Sequence, residues 1–197
     1  LRDCVASRGL GDVYKRQRLD CGSQEDIDKL LKTVEDILEY SGANDISLLV
    51  DDIPDELVMP HEMSKFKRLG QAHGLVLEQV YSHMQKVRPC SKLLFCPPYY
   101  QGRLHKHWKK PEAYEYMKDS QSWDKNIIMI WTGPHTGHPV MVPKDIKHYR
   151  QLVGPDRPLV YWDNTGWEGW ASHPLIYFHY EVPKDFASDC DEGVVFI

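Results

Sequence analysis

The sequence predicts an α/β fold on a parallel sheet and, within that class, a (β/α)8 barrel. Three observations carry this expectation. Short apolar strands alternate with amphipathic helices from Gln24 onward. The intervening helices suit right-handed crossovers, which make neighbouring strands parallel. Chemically rich residues stand at the end of strand after strand: Asp51 and Asp52, Tyr99 and Tyr100, Trp131, then Trp162, Asp163 and Asn164. A barrel gathers such ends at one mouth. The alternative is an open doubly wound sheet, but no G-x-G-x-x-G or phosphate-loop motif follows any strand.

Each element has its own signal. In QEDIDKLLKTVEDILEY, Gln24 to Tyr40, residues Ile27, Leu30, Leu31, Val34, Ile37 and Leu38 fall at helical spacing, with Ser23 as N-cap and Gly42 beyond the end. ISLLV follows as a buried strand that stops at Asp51 and Asp52, and Pro54 prevents its continuation. A helix is expected from about His61 to Lys86, with Phe66, Leu69, Ala72, Val76, Val80 and Met84 inward and Pro89 closing it. SKLLFCPPYY reads as a strand ended by two prolines, and PEAYEYMKDS as a helix opened by proline. The unit repeats: NIIMIWTGP is a strand, VPKDIKHYRQLVG a helix stopped at Gly154, PLVYWDN a strand and GVVFI the next.

Composition narrows the function. The 197 residues are 42% hydrophobic and 11% aromatic, as in an ordinary globular protein. A net charge of −5 leaves no broad basic field for nucleic acid or anionic membrane. No apolar run is long enough for a membrane helix, so a soluble protein is expected. Five cysteines (Cys4, Cys21, Cys90, Cys96, Cys190) include no C-x-x-C pair and argue against a disulfide framework or zinc ribbon, which favours a reducing, cytoplasmic setting; export stays open because the native start is read as missing. That reading rests on GDVYKRQ, Gly11 to Gln17, which resembles a translated transposon end from sequencing-library preparation. Residues Leu1 to Gln17 are therefore excluded from the fold. Without them Lys+Arg falls from 24 to 20 and Asp+Glu from 29 to 27, a net −7. At the other end, EGVVFI stops within a strand.

Adjacent carboxylates at the end of a buried strand lose hydration and repel one another. They serve either as a cap or solvated turn, as Asp52-Ile53-Pro54-Asp55 allows, or as a working acid pair. In the second case an ionised Asp51 raises the pKa of Asp52 and keeps a proton available near neutral pH. The neighbouring aromatics and amides suit a sugar site better than a metal site. His105, His107, His135 and His138 lack partners at ligand spacing and are read as loop histidines. Cys96, Trp108 and Trp123 are read as packing, and Lys109-Lys110 as a solvated pair.

LLVDDIP, LLFCPPYYQG, WTGP and VYWDN, in that order, resemble the family 84 glycoside hydrolases, which include O-GlcNAcase and bacterial β-N-acetylglucosaminidases. The likeness covers Leu19 to Trp162 well and the remainder loosely. It implies a (β/α)8 barrel of which this chain holds approximately strands four to eight, and a substrate that is an N-acetylglucosamine-bearing glycoprotein or glycan. It also implies catalysis in which the substrate's own acetamido oxygen attacks the anomeric carbon, forming an oxazoline with retention and needing no metal or other cofactor. By motif, Asp51 would accept the acetamido N–H, and Asp52 would protonate the leaving oxygen and later deprotonate water. Tyr100 would donate to the acetamido oxygen, Trp162 would wall the acetyl pocket, and Asn164 would bond beside Asp51. The family's acid for distal sugar hydroxyls falls here on Gly169, so either Glu168, one step away, substitutes for it or the outer hydroxyls are held differently. The asparagine expected at the end of the last strand is absent. A non-catalytic sugar-binding barrel is the alternative. A different glycosidase would show glutamate pairs across strands, and none is found.

Overall fold

The computed structural model describes residues 19–51, 53–54, 56–101, 111–133, 143–163 and 194–196. The segment Leu1 to Gln17, the four loop histidines, Trp108 and Lys109-Lys110 lie outside them. The elements run α1 (Gln24–Tyr40), β1 (Ile46–Leu49), α2 (Pro60–Lys65), α3 (Leu69–Val87), β2 (Leu93–Cys96), α4 (Pro111–Ser120), β3 (Ile128–Trp131), α5 (Pro143–Val153), β4 (Leu159–Asp163) and β5 (Val194–Phe196).

The strands form one sheet in the order β1-β2-β3-β4-β5, and every neighbouring pair is parallel. A doubly wound sheet reverses its strand order at a switch point. Here the chain steps one strand onward at every crossover, as a barrel wall does. Among the described residues the wall has five strands.

Helix α1 matches its expectation end to end. The Ser23 side chain accepts from the Asp26 N–H (3.4 Å), the apolar stripe is buried, and Gly42 takes φ +72° just past the end. Arg88 donates to the Leu38 and Ala43 carbonyls there. The helix expected over His61–Lys86 is two helices. Phe66 (ψ 151°) and Arg68 (ψ 148°) adopt extended backbone between α2 and α3. The cause lies in what each helix buries: α2 turns Glu62 inward, whereas α3 buries Leu69, Ala72, His73, Val76, Val80 and Met84. Phe66 still packs against the core, but from outside a helix. Side chains hold the break, since Gln71 accepts from the Lys67 N–H (3.1 Å) and Arg68 makes a two-pronged pair with Asp119 (2.5 and 2.8 Å).

Strand alternation sorts the core into two faces. Ile46 and Leu48, Leu93 and Phe95, Met129 and Trp131, and Leu159 and Tyr161 pack toward the helices in one large cluster. Leu49, Cys96 and Ile130 form a smaller cluster on the other face. In a closing barrel the helix-free face is the interior. Cys96 is fully buried there, as packing, and Trp123 packs in the helix layer. No helix among the described residues is long and apolar enough to cross a membrane.

The N-terminal ends of the strands are closed by polar knots. Arg157 is 3% exposed, and all five of its guanidinium N–H groups reach main-chain carbonyls: Ser120, Trp123, Asp124, Ile127 and Val153, at 2.7 to 3.1 Å. Burial lowers its pKa, but the ring of carbonyl dipoles suits a cation. Next to β1 and β2, Asp45 accepts from the Lys92 N–H (2.8 Å).

Candidate active site

The site is sought at the C-terminal strand ends. Beyond β1 the chain keeps its pairing for one more residue, with the Val50 N–H donating to the Cys96 carbonyl (2.9 Å). Asp51 follows at once. It is half-buried, and its Oδ1 atom is shielded from solvent. Asp52 lies outside the described residues.

Pro97 and Pro98 end β2 because neither can donate to a ladder. The chain then turns, and the Tyr100 carbonyl accepts from the Thr132 N–H (3.0 Å) and hydroxyl (3.4 Å) beyond β3. The two adjacent tyrosines part company here. Tyr99 is buried in the helix layer, edge-on to Tyr116 at 5.1 Å, whereas Tyr100 packs against Leu49, Cys96 and Ile130. The tryptophans divide in the same way. Trp131 stacks on Tyr149 at 5.4 Å in the helix layer, and Trp162 joins Tyr100 on the interior cluster. Tyr99 and Trp131, chemically rich in the sequence, are thus core. Trp162 Nε1 is buried with no hydrogen-bond partner among the described residues.

Tyr100 and Trp162, from two non-adjacent strands, therefore share one apolar floor with Leu49, two residues before Asp51. Asn164, Glu168 and Gly169 lie outside the described residues. Aromatic side chains on an apolar floor can receive the apolar face of a small amphipathic ligand. Among the described residues no three His, Cys, Asp or Glu side chains gather where they could hold a metal ion.

Sequence reasoning missed three residues around this end. Thr132 anchors the Tyr100 turn, and Asp20 and Glu62 are buried carboxylates that hold the start of α2, the helix that follows β1. Glu62 stands three residues after Met59, with Pro60 between them, a helix-start spacing that could have flagged it. His73, by contrast, belongs to the helix layer. It shares a 2.7 Å hydrogen bond with the Tyr116 hydroxyl, and complete burial lowers its pKa to about 3, so it is neutral.

A sequential all-parallel wall with helices packed on one face defines an α/β protein whose sheet is consistent with part of a barrel. Within that class, residues 13–175 match the beta-N-acetylglucosaminidase family, and the chain belongs to that family. No curated protein matches the sequence. Its fold is similar to a mutant of the Thermobaculum terrenum O-GlcNAc hydrolase, with TM-score 0.64 and 22% identity, covering 74% of this chain and 29% of that one. It is also similar to CpGH84B, with TM-score 0.59 and 17% identity, covering 91% of this chain and 30% of that one. The chain thus spans less than a third of the length of these structures. The resemblance to family 84 drawn from the four motifs is borne out.

Proposed function

We propose that this chain is a five-strand portion of a (β/α)8 catalytic barrel, and that the whole protein is a retaining β-N-acetylglucosaminidase acting on terminal N-acetylglucosamine of glycoproteins or glycans. The observation that carries the reading is the shared interior floor under Tyr100 and Trp162, reached from strands on either side of β3 and lying next to the strand that leads to Asp51. Family membership gives the reaction its class.

In this mechanism the acetamido oxygen of the sugar attacks the anomeric carbon as the bond to the leaving oxygen breaks. Asp52 gives its proton to that oxygen. Asp51 accepts the acetamido N–H, which holds the group in line and steadies the positive charge that develops on the oxazoline. Tyr100 donates its hydroxyl to the acetamido oxygen, and Trp162 walls the methyl group. Asn164 braces Asp51, and Glu168 takes the outer hydroxyls that Gly169 cannot. Water then adds to the anomeric carbon, Asp52 takes its proton, and the ring opens back to the acetamide with configuration retained.

The test compares two nitrophenyl glycosides, one carrying the 2-acetamido group and one a plain hydroxyl, on a chain extended to the complete barrel. A site built around the amide should prefer the first by on the order of 10⁴. Equal rates would overturn the proposal. Tight binding of the acetamido sugar without turnover would instead support a sugar-binding barrel, the reading that Gly169 favours.

A further inference from the structure

The loop from Asp51 to Met59 is held at one end by the Val50–Cys96 bond, and its other end enters α2, a helix of six residues. That far end is held by carboxylates. Glu62 Oε2 accepts from the Val58 and Met59 N–H groups (3.4 and 3.3 Å), while Oε1 accepts from the Cys21 N–H (3.1 Å). Asp20 answers from the opposite side. Its Oδ2 accepts from the His61 N–H (3.2 Å) and ring Nδ1 (2.8 Å), and its Oδ1 from the Gly22 N–H (2.9 Å). Asp20-Cys21 and His61-Glu62 thus exchange side chain for backbone in both directions across 41 residues of sequence.

Gly22 makes this approach possible. A Cβ there would lie 2.3 Å from the His61 carbonyl carbon, a separation that no side chain tolerates. Both residues are buried, at 3% and 4% exposure; Asp20 meets the largely exposed His61 imidazole, whereas Glu62 takes the main-chain N–H groups of Cys21, Val58 and Met59. Burying two acids is a poor way to gain stability, since desolvation offsets much of the attraction gained. What two carboxylates do well is grip main-chain N–H groups and so fix the path of a backbone, whatever side chains it carries.

We infer that Asp20 and Glu62 are positioning residues, a reciprocal clasp that sets the course of the acid-bearing loop between β1 and α2. The inference rests on the reading of Asp51 and Asp52 as the working acids. Asp51 stays next to the β1 end of the loop, so releasing the α2 end lets Asp52 drift from the leaving oxygen, and a displacement of about 1 Å can cost on the order of a hundredfold in rate.

The experiment uses the complete barrel and two aryl N-acetylglucosaminides, an activated dinitrophenyl and an unactivated methylphenyl glycoside. Only the second depends strongly on a well-placed proton donor. Glu62→Gln keeps the shape but loses one of its two strong acceptors. It should lower kcat/KM for the methylphenyl glycoside about tenfold or more, and for the dinitrophenyl glycoside less than about threefold. Asp20→Asn and Gly22→Ala disturb the same clasp from its other side and should show the same asymmetry, so one folded variant suffices. Equal losses on both substrates, or none, in a folded variant would overturn the clasp's positioning role. Asp52→Asn, run beside them, separates the two ideas: if it too responds equally to both leaving groups, the acid assignment fails and the inference fails with it.

Discussion

At the N-terminal ends of the strands, Arg157 places five N–H groups on five carbonyls, and Arg88 and Asp45 close the neighbouring corner. At the C-terminal ends, Trp162 Nε1 is buried with no partner among the described residues, and two adjacent aromatics of the Tyr99-Tyr100 pair are split between two faces. The first arrangement satisfies its own polar groups and leaves little for a ligand to add. The second presents polar atoms and ring edges that a ligand could complete. Buried polar groups that the protein itself satisfies specify structure; an open one does not by itself mark chemistry, since Trp131 Nε1 and Tyr149 Oη in the helix layer also lack a partner among the described residues, and it is the place of Trp162 on the same small cluster as Tyr100 that sets it apart.

The largest effect is expected at Arg157. Replacing it by Met removes five hydrogen bonds in a closed corner, where the Ser120 and Asp124 carbonyls keep main-chain donors in Trp123 and Ile127, and should destabilise the protein by on the order of 3–5 kcal/mol, read from denaturant midpoints. The remaining folded molecules should keep their activity. Arg157→Lys should recover little, because an ammonium has three donors and no planar fork. A loss of activity per folded molecule would show that the two ends are not separable.

A smaller effect is expected at His73. Its ring lies edge-on to both Phe95 and Tyr116 in the helix layer and shares a hydrogen bond with the Tyr116 hydroxyl. Burial lowers its pKa from 6.5 to about 3. Below pH 6.5 the unfolded chain binds a proton that folded His73 refuses, so its contribution to stability is intact above that pH and is lost as pH falls toward about 3. Across this window His73→Gln should flatten the stability profile by up to about 1.4 kcal/mol per pH unit, measured by denaturant midpoints at each pH. An unchanged slope would mean that His73 takes up a proton in the folded state.

Much of this fold was legible because its signals are local. The stripe of α1, the proline stops after β2 and the glycine stop after α5 each act within a few residues. The break between α2 and α3 was not, since Phe66 and Leu69 are three residues apart and stay in helical phase, with no Gly or Pro between them. What interrupts the helix is tertiary: Glu62 turned inward and Arg68 drawn to Asp119, 51 residues away. Arg157 was equally silent, because an arginine before proline in a loop reads as solvated. At the site, the sequence marked aromatics at the strand ends but not their faces. Tyr99 and Trp131 joined the core, while Tyr100 and Trp162 met on the interior floor. Only the register of the strands separates them.

If Asp52, beyond the C-terminal end of β1, is the proton donor and the opposite end maintains the fold, the two should separate on mutation. Asp52→Asn in the complete barrel, assayed on an aryl N-acetylglucosaminide with its unfolding midpoint measured in parallel, tests it most directly. The variant's rate should be lower by on the order of 10²–10⁴ with the midpoint little changed. Wild-type and variant rates that agree would contradict it.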